Sequence, residues 1–148
     1  MGEDLGGALM NTQIHLSNQP LNIQQCIDWV MAPGCGGIDV FIGTVRDVTK
    51  GKQVVRLEFE AYEKMALSEM QKLADYALQQ WPVQRVAIHH RAGILGVGEV
   101  PVIIAVAAAH RDAAFEVCRY LIDTLKKTVP IWKKEIFEDG EVWVSATP

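Results

Sequence analysis

The pentapeptide Val102-Ile103-Ile104-Ala105-Val106 contains no polar side chain. An uninterrupted apolar run of this length is typical of a β-strand that is buried on both faces. Segments on both sides of it carry strand and helix patterns, so we expect this run to lie at the centre of a sheet.

The chain before this run alternates between strand and helix patterns. The residues Lys50-Gly51-Lys52 form a turn signal between two β-rich runs, which predicts a hairpin with one solvated face. The glycines Gly93, Gly96 and Gly98 predict a connection just before the apolar run. The elements predicted upstream are a strand at residues 12–16, a helix at 23–30, strands at 38–45 and 55–62, a helix at 66–81 and a strand at 83–90.

The chain after the run ends in a helix and two strands. Apolar residues at spacings of three and four predict a helix that begins near Arg111 and ends before Pro130. Strands at 131–136 and 142–144 follow, joined by a hairpin signal at Asp139-Gly140. The resulting order, βαββαββαββ, favours an α+β fold with helices on a mainly antiparallel sheet over a regular parallel fold. The apolar positions of this last helix are Phe115, Cys118, Ile122, Leu125 and Val129.

Length and composition indicate one globular domain. The chain has 148 residues, 49% of them hydrophobic and 22% charged, which is ordinary for a folded domain. We predict that residues 1–9 are a disordered N-terminal extension and that 10–148 form a single domain. No apolar run reaches the roughly 20 residues that cross a bilayer, and residues 1–10 lack a basic segment followed by an apolar one. A cytoplasmic location is therefore expected.

Several common kinds of site are excluded by spacing or charge. A sequence pI near 5.5 makes nucleic acid a poor partner. The three cysteines lack CxxC spacing, which argues against a disulfide framework and a zinc site. Neighbouring strand residues point to opposite faces, so His89 and His90 do not predict a metal site. The glycines at 34–37 and 93–98 fit no phosphate-binding loop and are predicted to be turns.

Positive charge is concentrated between residues 126 and 135. This segment carries four lysines and one acid, although the net charge of the chain is -4. Lysines in a last helical turn complement the helix dipole, which would explain Lys126. The same reason does not cover Lys133, because Pro130 stops the helix before it. The clustering therefore predicts an anion-binding site, against the alternative of a solvated helix end.

The strand after Pro130 places a base and an acid on one face. Lys133 and Glu135 alternate with Trp132 and Lys134, which point to the opposite face. A lysine that is partly desolvated and close to other cations has a lowered pKa. Such a lysine is suited to proton transfer or nucleophilic attack near neutral pH.

Further candidate residues stand at the ends of predicted elements. His110 and Arg111 fall where the apolar strand ends and the last helix begins, and a helix N-terminus favours anions. A capping histidine and a surface ion pair would account for them equally well. Arg46 ends the β-rich run 41–46, where Gly43 allows another group to approach closely. Taken alone, Arg46 is more simply a solvated arginine at a strand end.

Taken together, these motifs resemble the large, catalytic subunit of molybdopterin synthase. The likeness runs from about residue 37 to residue 144, and its specificity lies in the order and spacing of fragments that are each weak alone. The fragments are Phe41-Ile42-Gly43-Thr44-Val45-Arg46, Phe59-Glu60-Ala61-Tyr62, Met65-Ala66, His90-Arg91-Ala92-Gly93, His110-Arg111-Asp112-Ala113-Ala114-Phe115 and the lysine-rich segment 126–135.

The resemblance implies an α/β hammerhead-like fold with an additional small antiparallel β-sheet. It implies a homodimer flanked by two copies of a small ubiquitin-like sulfur carrier, forming a heterotetramer. The carrier's C-terminal thiocarboxylate would supply sulfur to cyclic pyranopterin monophosphate (precursor Z), forming the dithiolene of molybdopterin without a metal or other cofactor. Apolar residues such as Ile131 and Trp132 would lie near the path of the carrier's tail, although core packing would explain Trp132 at least as well.

The match to the family motif implies that the functional residues are Arg46, His110, Arg111, Lys126 and Lys133, and we assign their individual roles as a hypothesis. Lys126 would be the leading acid, base or transient nucleophile, and Lys133 would be its cationic partner. Arg46, His110 and Arg111 would form the phosphate and pterin pocket, together with the two lysines. Two alternatives stay open: a non-catalytic module that binds a ubiquitin-like partner, and, ranked last, a hydrolase of another phosphate ester.

Overall fold

The computed structural model describes residues 11–145, so the predicted extension at residues 1–9 lies outside the described part. No helix within residues 11–145 is long and apolar enough to span a membrane. The elements in chain order are β1 (Thr12–Ser17), α1 (Ile23–Val30), β2 (Gly37–Gly43), β3 (Val48–Thr49), β4 (Lys52–Ala61), α2 (Glu63–Gln80), β5 (Val83–Arg91), β6 (Gly93–Gly96), β7 (Val102–Ala108), α3 (Arg111–Thr128), β8 (Ile131–Phe137) and β9 (Gly140–Ser145).

The first sheet has four strands in the order β1-β5-β7-β2. Only β1 and β5 run parallel, and the other two pairs are antiparallel. All seven residues of β7 are buried, as the apolar run predicted. Ile104 faces Ile88 of β5 on one side and Phe41 of β2 on the other. The prediction of an inner strand at residues 102–106 is confirmed.

The second sheet has five strands, all paired antiparallel, and β4 is its central member. Strand β8 pairs along one edge of β4 and carries β9 beyond it, while β3 and β6 pair with β4. The α+β architecture with an additional antiparallel sheet is therefore confirmed. The resemblance implied that this additional sheet is small, but it has five strands and the first sheet has four.

The predicted hairpin between residues 38–45 and 55–62 is wrong in its partners. The turn forms at Lys50 and Gly51, which both have positive φ, but it joins β4 to the two-residue strand β3. Strand β2 pairs with β7 in the other sheet. The reason is that β2 completes the buried sheet, and the backbone of Val45 then bonds to Gly98 and Glu99 instead of continuing towards β4.

The glycine-rich connection after β5 contains a strand that sequence patterns did not predict. Residues Gly93–Gly96 form β6, which pairs with residues 56–59 of β4. Leu95 has no exposed surface and lies opposite Leu57, whereas Ile94 is 63% exposed. One buried leucine between glycines is too short a pattern to indicate a strand, and it forms because the edge of β4 is available.

Both faces of the first sheet are covered. The larger core cluster joins alternate residues of β5 and β7, such as Ile88 and Ile104, to the buried faces of α2 and α3 and to the inner face of the second sheet. A smaller cluster on the opposite face joins Ile103 and Ala105 to Cys26 and Val30 of α1. The predicted stripe of α3 is partly wrong, because Phe115 is 56% exposed and Ala114 and Val117 are buried in its place.

Candidate functional site

Three elements that are distant in sequence contribute the candidate site. Lys126 lies in the last turn of α3, Lys133 lies in the middle of β8, and Arg46 follows the end of β2. Pro130 separates α3 from β8, and its carbonyl accepts a hydrogen bond from the Tyr62 N–H at 3.2 Å. This bond fixes the connection between α3 and β8. Lys126 and Lys133 of the predicted anion site therefore stand on either side of this connection.

Lys133 and Glu135 occupy the inner face of the second sheet. They lie directly opposite Phe59 and Leu57, which belong to the buried core. Their side chains are 31% and 11% exposed, and the Lys133 Nζ lies 4.0 Å from a Glu135 carboxylate oxygen. A base and an acid therefore stand at positions where the neighbouring strand carries core residues. The predicted sharing of one strand face by Lys133 and Glu135 is confirmed.

The surroundings of Lys133 hold its pKa below the ordinary value for lysine. Burial is the largest cause, because desolvation disfavours the charged ammonium. Glu135 opposes this shift, while the positive charges of Lys126 and Arg46 add to it. Lys126 and Arg46 consequently each lie within electrostatic range of Lys133. Such a cluster attracts anions and supplies one amine that releases its proton more readily than usual.

The outer face of β8 has a different character. The Lys134 Nζ lies 2.8 Å from a Glu141 carboxylate oxygen and 4.5 Å from the centre of the Trp143 ring. Trp132 is half-buried and packs edge-on against Tyr62 at 5.0 Å between ring centres. Ile131 is completely buried, so it has no surface with which to line a groove for a partner's tail. Of Ile131 and Trp132, only Trp132 has a side chain that a partner could reach.

His110 and Arg111 lie at the opposite end of α3. His110 is the N-cap residue but its side chain makes no capping hydrogen bond, and both residues are exposed. Lys126 lies fifteen positions after Arg111 in the helix, which corresponds to roughly 22 Å along the axis. The structure therefore divides the five predicted site residues into two groups at the two ends of α3.

Close packing by Gly36 and Gly37 fixes the N-terminal end of α3. A Cβ atom on Gly37 would lie 2.8 Å from the Arg111 Cα, and one on Gly36 would lie 2.8 Å from the Ala109 carbonyl oxygen. The Gly36 N–H also donates to that oxygen at 3.2 Å. These glycines were predicted only as turn residues. They hold the start of β2 against the N-terminus of α3, where Arg111 is presented to solvent.

The His89-His90 pair and the cysteines are shaped mainly by burial. Among residues 11–145, no group of three or more histidine, cysteine, aspartate or glutamate side chains could hold a metal ion. Burial lowers the pKa of both His89 and His90 to about 4. The cysteines are free, and burial raises the pKa of Cys118 to about 12, as expected of a buried thiol in the core.

Comparisons with known proteins agree with this architecture. The family model described as MoaE protein matches residues 16–128. The molybdopterin synthase catalytic subunit of Halalkalibacterium halodurans is 48% identical over 129 residues, covering 87% of this chain and 83% of the relative. The human molybdopterin synthase catalytic subunit is 45% identical over 130 residues, covering 88% of this chain and 69% of the relative.

The fold is similar to that of a solved structure of the same kind. The X-ray crystal structure of molybdopterin synthase from Staphylococcus aureus superposes with a TM-score of 0.84 and 37% identity, covering 88% of this chain and 95% of that one. The resemblance inferred from the sequence is confirmed. The chain belongs to the MoaE protein family, that of the molybdopterin synthase catalytic subunits.

Proposed function

We propose that this chain is the catalytic subunit of a molybdopterin synthase and that the cation cluster around Lys133 is its sulfur-transfer site. The donor is the C-terminal thiocarboxylate of a small ubiquitin-like carrier, and the acceptor is cyclic pyranopterin monophosphate. The observation that carries the proposal is the environment of Lys133, which is partly buried beside Glu135 and near the charges of Lys126 and Arg46. We propose a cytoplasmic location for the reaction.

The two lysines divide the chemistry between them. Lys126 is exposed at the end of α3, so an incoming carrier tail can reach it. We assign it to the thiocarboxylate in one of two ways. Either it is the cation that binds this group, or its amine takes the acyl group as an amide while the C–S bond breaks and the sulfur leaves as hydrosulfide for addition to the pterin. Lys133 is more enclosed and has the lowered pKa, so we assign proton transfer to it. Arg46 binds a negatively charged oxygen of the pterin substrate.

His110 and Arg111 bind the phosphate end of the substrate in this proposal. Roughly 22 Å of helix separates them from Lys126 in one protomer, which is too far for one small molecule to contact both groups. A homodimer removes this difficulty, because a two-fold axis can bring the N-terminus of α3 from one protomer to the lysine cluster of the other. We therefore propose that each site combines Arg46, Lys126 and Lys133 of one protomer with His110 and Arg111 of its partner.

Complementation between two inactive variants tests this arrangement. One variant carries Lys126→Ala and Lys133→Ala, and the other carries His110→Ala and Arg111→Ala. Each is expected to form inactive homodimers. If sites are shared, random mixing at equal amounts restores about a quarter of wild-type activity, because half of the dimers are mixed and each has one complete site. Activity is measured as molybdopterin formed from thiocarboxylated carrier and cyclic pyranopterin monophosphate.

Controls make the result specific. Lys127→Ala removes a neighbouring exposed lysine of the same helical turn and is expected to retain activity. No recovery in mixed dimers, verified by tags on the two chains, would contradict the shared site. Carrier binding by the wild-type chain without any product would contradict catalysis and favour the binding-module alternative.

A further inference from the structure

The position of Arg46 depends on the backbone that precedes it. Arg46 is exposed and lies in an irregular segment between β2 and β3. None of the ion pairs formed within residues 11–145 includes its guanidinium group. The preceding residue, Val45, is by contrast only 3% exposed and belongs to the main core cluster. The contacts that fix Val45 therefore also set the direction in which Arg46 extends.

A tight turn holds Val45 by both of its backbone groups. The Val45 N–H donates to the Glu99 carbonyl at 3.0 Å, and the Gly98 N–H donates to the Val45 carbonyl at 2.8 Å. The turn itself closes through a 3.1 Å bond from the Glu99 N–H to the Gly96 carbonyl. Gly98 has a φ of 86°, as the third position of a type II turn requires. We call residues 96–99 the Val45 turn.

The Glu99 side chain closes the Val45 turn a second time. One of its carboxylate oxygens accepts a 2.7 Å hydrogen bond from the Gly96 N–H, and the other lies 3.7 Å from the Arg91 guanidinium. The Arg91 side chain is 12% exposed and also donates to the Ile94 carbonyl at 3.4 Å. Its Nε is buried without a partner among the described residues, so these contacts must offset the burial of the guanidinium.

We propose that Glu99, held by Arg91, is a positioning residue for Arg46. It stabilises the turn that holds Val45, and so keeps the Arg46 charge beside Lys133. The catalytic consequence rests on the proposed function, whereas the positional effect does not. Neither Glu99 nor Arg91 was a candidate from sequence, because Arg46, the residue they position in this proposal, lies more than 40 positions away from each of them.

The sign of a pKa change separates this role from a direct charge effect. The charge of Arg46 contributes to the lowered pKa of Lys133. If loss of Glu99 lets Arg46 move away, the pKa of Lys133 rises. If the Glu99 carboxylate acted directly through space, its loss would remove a negative charge and the pKa of Lys133 would fall. The two explanations therefore predict opposite shifts.

The experiment titrates the Lys133 amine by NMR in the full-length chain carrying isotope-labelled lysine. Arg46→Ala and Glu99→Ala are each expected to raise the pKa of Lys133. In the Arg46→Ala background, Glu99→Ala is expected to add no further rise, since there is then no charge to misplace. Glu141→Gln removes the acid paired with Lys134 on the outer face and is the matched control, with no change expected.

An unchanged or lowered pKa in folded Glu99→Ala would overturn the proposal. If that variant does not fold, Glu99→Gln decides, because it keeps an acceptor for the Gly96 N–H and removes only the ion pair with Arg91. It is expected to give a smaller rise, and no rise would overturn the proposal. In the synthase assay, Glu99→Ala should lower kcat/KM roughly tenfold through misplacement of Arg46. If the wild type forms no molybdopterin, the proposed function fails while the titration still tests the positioning.

Discussion

Strands β7 and β8 are both inner strands of seven residues, but they use their buried positions differently. Every residue of β7 is buried, and its side chains are all apolar. Strand β8 begins and ends with the buried residues Ile131 and Phe137, yet it carries Lys133 and Glu135 on the same inner face between them. Charged groups at such positions are costly to desolvate. The comparison indicates that β7 serves stability, whereas β8 gives up apolar packing to hold a lysine and a glutamate on its inner face.

The largest expected effect comes from making β8 resemble β7. Lys133→Met combined with Glu135→Leu removes both charges together, so neither is left buried without a partner. We expect unfolding free energy to stay equal or to rise by up to about 4 kcal/mol, as for other buried pairs replaced by apolar residues. Molybdopterin formation should fall at least about 100-fold, because the group to which we assign proton transfer is lost.

The control for this variant is Lys134→Met with Glu141→Leu. It removes the ion pair that joins β8 to β9 on the outer face of the sheet. It should leave activity within about twofold, since this pair lies on the outer face, away from Lys133 and Glu135. Denaturant unfolding and product formation are measured on both proteins. Wild-type activity in the inner-face variant would show that Lys133 is not part of the chemistry.

The second effect concerns β7. Ile104→Ala should lower the unfolding free energy by about 2–5 kcal/mol, because Ile104 is completely buried between β5 and β2. Activity measured at a temperature well below the midpoint of thermal unfolding should be retained, since the proposed site lies on other elements. Ile136→Ala on the outer face of β8 is the matched substitution and should cost less. Equal losses of unfolding free energy at both positions would contradict the view that the two strands differ in packing.

The smallest effect is a shift in pH dependence. Glu135 raises the pKa of Lys133, so Glu135→Gln should lower that pKa further below the ordinary lysine value. If Lys133 acts as a base, kcat/KM rises as pH passes its pKa, and this rising limb should move to lower pH in the variant. Steady-state rates across pH give the profile, with Glu141→Gln as control. A limb that moves to higher pH would be incompatible with this role.

Sequence patterns predicted well those elements whose signal is local and long. The apolar run of β7 and the helical periodicities of α2 and α3 lie within about three residues of their predicted positions in the structure. Strand β6 was missed because its only buried side chain is Leu95. The hairpin at Lys50-Gly51-Lys52 was assigned the wrong first strand, because a turn signal does not say which strand is paired. Phe115 was predicted to lie on the buried stripe of α3, but its ring is exposed, because spacing alone does not fix which face of a helix is covered.

The sequence by itself determined that Lys133 and Glu135 share one face of a strand, because strand side chains alternate with a period of two. It also determined that Lys126 ends a helix, because Pro130 cannot continue one. Only the tertiary structure decided that this strand face is the inner one, that Arg46 joins the two lysines, and that His110 and Arg111 lie at the far end of α3. Burial and proximity arise from contacts between residues far apart in the chain, and no local pattern encodes those contacts.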